Sequence, residues 1–247
     1  MTTLRIDARG IHYTPLNQEI RAAIADGIQE IVIDNVLSQR FIGDGLRGDD
    51  VTITVNGIPG GDLGMFMSGP TIIVHGNADH APGNTMDNGR IIIHGSAGDA
   101  VAHSMRGGRV YVRDNIGYRG GIHMKQYMEK RPVLVVGGAA RAFLGEYMAG
   151  GLLIVLGLTG VSPVSERGVG SGIHWGEILI RGPVDGQYLG VGARQNPATE
   201  EQKAMIKPII EDFAKQFGLD PALLLASEYT RIAPASARPF ADKYTWE

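Results

Sequence analysis

Apolar residues recur along this chain in short β-branched runs rather than at helical spacing. The runs are Val51–Val55, Ile72–Val74, Ile91–Ile93, Val110–Val112, Val133–Val136, Leu152–Val155 and Ile178–Ile180, and glycines bracket each one. The segments around them repeat. Met67-Ser68-Gly69-Pro70-Thr71-Ile72-Ile73-Val74-His75-Gly76 returns as Met86-Asp87-Asn88-Gly89-Arg90-Ile91-Ile92-Ile93-His94-Gly95, then as Met105-Arg106-Gly107-Gly108-Arg109-Val110-Tyr111-Val112. The methionines at 67, 86, 105 and 124 step by 19. Met148 follows 24 residues after Met124, Ile173 follows 25 after that, and Leu46 stands 21 before Met67. The extra residues after Met124 fall in the charged stretch Lys125 to Arg131, which reads as a looped-out bulge.

A fixed step of this length with one strand signal per step predicts a solenoid. A strand rises about 3.3 Å per residue, so each step traces a loop of roughly 60 Å, one turn of a coil stacked about 4.8 Å from its neighbours. A left-handed hexapeptide helix needs a multiple of six, and a sandwich needs hairpin reversals; neither fits. The predicted architecture is mainly β: a single-stranded right-handed β-helix of about seven coils. Met67, Met86, Met105, Met124 and Met148 form an internal column of adaptable side chains. Gly69, Gly76, Gly89, Gly95, Gly107, Gly108, Gly150 and Gly151 turn corners at positive φ or let coils approach closely, and a β-branched residue there would strain the corner.

Both ends of a solenoid need covering. Residues 1–40 read as an N-terminal cap, with Leu16, Ile20, Ala23 and Ile24 on one helical face behind Pro15, then Ile31–Ile33 as a leading strand. The β-helix occupies 41–192. Residues 193–247 follow: a linker at Asn196–Ala198, a helix opened by the capping box Thr199–Gln202, kinked at Pro208 and closed by Gly218. A short helix after Asp220-Pro221 follows, then an irregular tail from Tyr229 whose Phe240, Tyr244 and Trp246 suggest docking.

Composition narrows the chemistry. Glycine, 36 of 247 residues, is about twice its usual share. The formal net charge of −3 comes without a basic patch, so nucleic acid is not an expected partner. There is no cysteine, which excludes disulfides, thiolate metal sites and cysteine nucleophiles from this chain. No run is long and apolar enough to span a membrane and no signal-peptide core opens the chain, so a cytoplasmic location is expected. Gly43-Asp44-Gly45-Leu46-Arg47-Gly48 matches a dinucleotide fingerprint, but a strand follows it where a helix is required. Gly168-Val169-Gly170-Ser171-Gly172 reads as a coil corner. His75, His94 and Arg113 share a column, and an arginine there argues for a solvated ladder rather than a metal site. His80, His103, His123 and His174 fall in other columns. Asp79 and Asp99 miss a shared column by one residue, which speaks against a paired-carboxylate hydrolase.

The coil pattern at Met86–Gly95, Met105–Val112 and Met148–Gly157 resembles the GXGXG-motif β-helix domain that closes the large subunit of glutamate synthase and also occurs as a free-standing subunit. Ile58–Leu63, Gly117–Lys125, Gly145–Gly151 and the tail Ser236–Phe240 resemble the free-standing form, over nearly the whole chain. The resemblance implies a scaffold subunit with no catalytic, cofactor or metal site of its own, serving glutamate biosynthesis from glutamine and 2-oxoglutarate in nitrogen metabolism. It implies partners too: a glutamine amidotransferase subunit, and a glutamate synthase subunit carrying FMN and an iron–sulfur cluster. Related β-helices serve in formylmethanofuran dehydrogenase, in a formyltransferase/hydrolase complex and in N-methylglutamate synthase, so these alternatives stay open, as does a homo-oligomer. The expected partner interface is Ile122, His123, Met124, Lys125, Arg238 and Phe240.

Overall fold

The computed structural model describes residues 3–236. It contains one eleven-stranded sheet. The strands are β1 (Thr3–Asp7), β2 (Glu30–Leu37), β3 (Thr52–Ile58), β4 (Ser68–His75), β5 (Asn88–Ile93), β6 (Arg109–Val112), β7 (Val133–Val136), β8 (Ala149–Val155), β9 (Trp175–Arg181), β10 (Ala193–Pro197) and β11 (Tyr229–Pro234). From β1 to β9 each strand pairs in parallel with the next. The registers carry the repeat: Thr71 stands beside Arg90 and Arg90 beside Arg109, a step of 19 each time. Arg109 then stands beside Val133, a step of 24 that places the insertion after Met124 as expected. The seven coils of the repeat, β3 to β9, are thus a parallel β-solenoid. Among the described residues no helix is long and apolar enough to cross a membrane.

The methionine column is the core. Met67, Met86, Met105, Met124 and Met148 are all fully buried, with Leu46 below and Ile173 above them. The corner glycines divide between the two expected reasons. Gly150 has φ +128°, outside the range of ordinary side chains. Gly76, Gly95 and Gly107 have no positive φ and are required by close approach. A Cβ on Gly107 would collide with the carbonyl oxygen of Asp87.

Opposite the strands lies a feature the repeat did not announce. Every coil holds three alternate residues at positive φ, as in Asp62, Gly64 and Phe66, or Ala100, Ala102 and Ser104, or Arg119, Gly121 and His123. Phe41, Gly43 and Gly45 form the first such triplet, and Gly168, Gly170 and Gly172 the last. The outer two N–H groups donate to the following coil and the middle one to the preceding coil. Asp62 donates to His80 O at 3.0 Å and Phe66 to Asn84 O at 3.0 Å, whereas Gly64 donates to Ile42 O at 2.8 Å. Alternating backbone handedness turns successive amides toward opposite neighbours, so the segment is hydrogen-bonded on both sides without being a strand. Non-glycine residues accept this conformation at about 1–2 kcal/mol each. Even a β-branched residue adopts this conformation: Thr85 has φ +51° and donates to His103 O at 2.7 Å. The inter-coil hydrogen bond and the fixed stacking hold it there.

The N-terminal segment caps the coils with α1 (Tyr13–Ala25), which buries Leu16, Ile20 and Ala23, while Ile24 is half-buried. The β1 strand was not foreseen; it adds a parallel rung beside β2. Two further expectations are corrected at the other end. The supposed linker at Asn196–Ala198 is largely β10, and the supposedly irregular tail begins with β11. β11 pairs antiparallel with both β9 and β10, covering the open edge that the last coil would expose. Pro197 is tolerated because β10 is the outermost strand.

The C-terminal helix α2 (Glu200–Phe217) starts at the Thr199–Gln202 capping box and ends at Gly218 in the left-handed conformation. It runs through Pro208 as one helix. A short helix, α3 (Pro221–Leu225), follows. Ile206, Ile210 and Phe213 of α2 pack on the outer side chains of Tyr111, Val133, Val135, Leu152, Ile154 and Leu179, making a second core on the outside of the solenoid.

Candidate docking face

The insertion after Met124 is an ordered turn. Tyr127 and Lys130 exchange backbone hydrogen bonds at 3.2 and 3.0 Å, and the Gln126 side chain donates to Met128 O at 3.2 Å. Met128 lies at the tip with φ +51°. The base of the turn is tied down on both sides. Lys130 Nζ donates to Asp87 Oδ2 at 2.6 Å, 43 residues back, and Arg131 reaches Glu177 at 3.5 Å. The Lys130 ammonium holds the Asp87 carboxyl below the usual carboxylate range, against the opposing effect of burial. The turn carries Tyr127, 63% exposed, and Met128, 74% exposed.

Beside it lies a cleft of about 360 Å³ lined by Asp87, Arg106, Lys125, Tyr127 and Lys130. Of the expected interface residues, His123 and Lys125 are exposed and Ile122 is half-buried. Met124 is fully buried in the methionine column, where a partner cannot touch it. Side chains in a coil alternate between core and solvent, so four consecutive residues cannot all face outward. Arg238 and Phe240 lie outside the described residues.

The positive-φ segments build a second surface. Its columns put Phe66, Thr85, Ser104, His123 and Tyr147 in line, and the rings interact. His123 stacks on Tyr147 with centroids 5.3 Å apart and planes at 18°. His103 meets His123 edge-on at 6.1 Å, although its register is offset by one residue. Burial, reinforced by His123, holds the His103 imidazole below its usual pKa. Arg119 pairs with Glu146 at 3.0 Å, and Arg141 lies over the Tyr118 ring at 4.2 Å. The one signal for this row was the 24-residue step from His123 to Tyr147, which matches that of Met124 to Met148.

The His75–His94–Arg113 column is not wholly solvated. His94 sits between His75 and Phe217 of α2, with ring centroids 5.0 Å from each. Burial, then the neighbouring His75 and Arg113, lowers its pKa. Among the described residues no group of three or more His, Asp or Glu side chains is placed to hold a metal ion. Together these surfaces present exposed aromatics, a pinned turn and a cleft lined by three cations and one carboxylate.

Comparison with known proteins agrees with the solenoid fold. The GXGXG motif family matches residues 17–237. The chain is 57% identical over 254 residues to the uncharacterized protein MJ1350 of Methanocaldococcus jannaschii, covering 99% of this chain and 97% of that one. Among solved structures, a chain of the formyltransferase/hydrolase complex from Methylorubrum extorquens, determined in complex with methylofuran, superposes with a TM-score of 0.63. The match covers 95% of this chain and all of that chain at 20% identity, a likeness of fold.

Proposed function

The chain belongs to the GXGXG motif family, and from that premise we propose that it is a non-catalytic scaffold subunit of a multi-subunit enzyme of the glutamate synthase type. A glutamine amidotransferase subunit would release ammonia. A second subunit, holding FMN and an iron–sulfur cluster, would make glutamate from 2-oxoglutarate. This chain would fix the two relative to each other from a cytoplasmic complex. The observation that carries the scaffold reading is the hydrogen-bonded turn at Tyr127–Lys130, which displays two large apolar side chains on the stacked coils. Exposed Tyr and Met on a rigid element are what protein interfaces are enriched in.

A second reading has its own support. The structural neighbour belongs to a formyltransferase/hydrolase complex, so this chain would be the β-helix subunit of a one-carbon formyl-transfer assembly. Gentle purification of the tagged chain from its native host separates the two. Co-purifying flavin and iron–sulfur absorbance with glutaminase activity is the expected result. A formyltransferase partner without flavin moves the assignment to the second reading. A colourless chain that purifies alone rejects both.

A further inference from the structure

The cleft beside the turn has an unbalanced charge. Arg106 and Lys125 are exposed and occupy successive positions of one column: the Arg106 N–H donates to Met86 O at 2.8 Å and the Lys125 N–H to Met105 O at 2.9 Å. Among the described residues neither side chain makes an ion pair. Two like charges one coil apart oppose each other. Lys130 adds a third cation, and the one carboxylate lining the cleft, Asp87, is already bound to it. The exposed Glu129 of the same turn adds a second carboxylate, so Arg106, Lys125 and Lys130 outnumber the local carboxylates by one, on a chain whose formal net charge is −3.

The surroundings are those of a protein interface. Lys125 bridges to Ala149, and Ala149 pairs with Trp175, so the indole stands two rungs up the same column, about 10 Å away. Trp175 is 55% exposed. Tyr127, which lines the cleft, and its neighbour Met128 give it an apolar rim on one side, and Trp175 stands two coils further along the column. Tryptophan, tyrosine and arginine are the residues in which interface hot spots are enriched. Lone phosphate or a small dicarboxylate would use the cations and leave this rim bare.

We propose that Arg106, Lys125 and the Tyr127–Lys130 turn form a docking site for a carboxylate-rich segment of a partner polypeptide, with Trp175 covered by the same segment. The site rests on the scaffold reading and gives its partner a chemistry. The segment's carboxylates neutralise the Arg106–Lys125 repulsion, and its apolar side chains cover Tyr127, Met128 and Trp175. Charge steers the encounter, and the apolar rim slows dissociation.

The test uses the full chain with Trp246→Phe, which leaves Trp175 as its sole tryptophan. A synthetic octapeptide alternating Glu and Phe is titrated while Trp175 emission is followed. A saturable shift is expected, weakening with salt and at least tenfold weaker in Arg106→Glu/Lys125→Glu, with an unchanged circular dichroism spectrum. The Lys-Phe counterpart should give no shift. Equal binding by the double variant overturns the site. So does saturation by inorganic phosphate or glutarate alone, which marks a small-anion site, or a concentration-dependent dimer lost in the double variant, which marks a second copy as the occupant. In the native host, a double variant that keeps every partner overturns the docking site and leaves the scaffold reading standing. A wild-type chain that purifies alone defeats the scaffold reading, and the peptide titration then decides the site by itself.

Discussion

The Tyr111 hydroxyl donates a hydrogen bond of 2.9 Å to Asp212 Oδ2, tying the outer face of β6 to helix α2 across 101 residues of sequence. Arg90 at 2.7 Å and Arg109 at 3.0 Å bind the same oxygen. One carboxylate thus bridges two arginines from adjacent coils and anchors the helix whose Ile206, Ile210 and Phe213 complete the outer core.

Removing that carboxylate should loosen α2. Asp212→Ala leaves two guanidinium groups and a phenol without their common acceptor, and should cost about 1.5–3 kcal/mol. Burial alone would raise the Asp212 pKa, but the hydrogen bonds from Arg90 and Tyr111 outweigh it and hold the group below its ordinary value. A depressed carboxylate pKa gives stability that is complete above the unfolded value, about 3.9, and is lost as pH falls through the folded one. Urea melts should therefore show the wild type converging on Asp212→Asn as pH drops below about 4. Parallel curves over that range would deny the clamp its role.

Histidine sets a second pH window. His94 and His103 both have lowered pKa values, chiefly through burial. The unfolded chain therefore takes up protons first, near pH 6.5, and the folded state loses stability as pH falls from there. We expect the wild-type Tm to drop between pH 7 and 5, and the drop to shrink in His94→Gln/His103→Gln. An identical drop in both proteins would contradict this.

Coil stacking should be most sensitive where backbone meets backbone. Gly107→Val drives a side chain into the Asp87 carbonyl and should cost more than about 3 kcal/mol, on the scale of severe overpacking. Gly186→Ala, whose nearest neighbour would be Gln195 Nε2 at 3.8 Å, should stay within about 0.5 kcal/mol. Similar denaturation midpoints for the two would show that the coils can slide apart.

The methionine column invites a volume test. Met86 is fully buried, so Met86→Ala should cost about 2–5 kcal/mol, whereas Met86→Leu should cost less than about 1.5. Equal midpoints for the two variants would mean that the column collapses around any side chain.

The positive-φ segments make the opposite kind of prediction. Ala100 has φ +56° at a position that Gly168 fills in the last coil. Ala100→Gly relieves the left-handed strain and loses some of that gain to the more flexible unfolded chain, for a net stabilisation of up to about 1 kcal/mol. Calorimetry reporting a lower Tm would show that the surrounding coils, and not the residue, bear the strain.

Much of this could be read from the sequence, for a physical reason. The step from Met67 to Met86 to Met105 fixes which residues stack, because in a solenoid each coil contacts only its neighbours. Caps were legible where they are local: Thr199 and Gln202 satisfy each other's backbone within one turn. Even the second core left a trace. Thr52-Ile53-Thr54-Val55 alternates half-buried and buried, while Val133–Val136 is apolar and buried throughout, as a strand covered on both faces must be.

What the sequence could not show were contacts between residues with no fixed spacing. No periodicity relates Asp212 to Tyr111, Arg131 to Met205, or β11 to β9. The ring contact of His103 with His123 arises because alternating φ signs displace side chains that a simple strand would keep apart. The sequence alone determined the period, the stacked columns and the interior of the coils, since local repetition dictates them. Only the tertiary structure decided which coil faces are covered by α2, how the last edge is closed, and how the cations beside the turn pair, Lys130 with Asp87 while Arg106 and Lys125 make no ion pair among the described residues. Those outcomes depend on long-range packing that compensates exposed edges, apolar faces and charges wherever in the chain they fall.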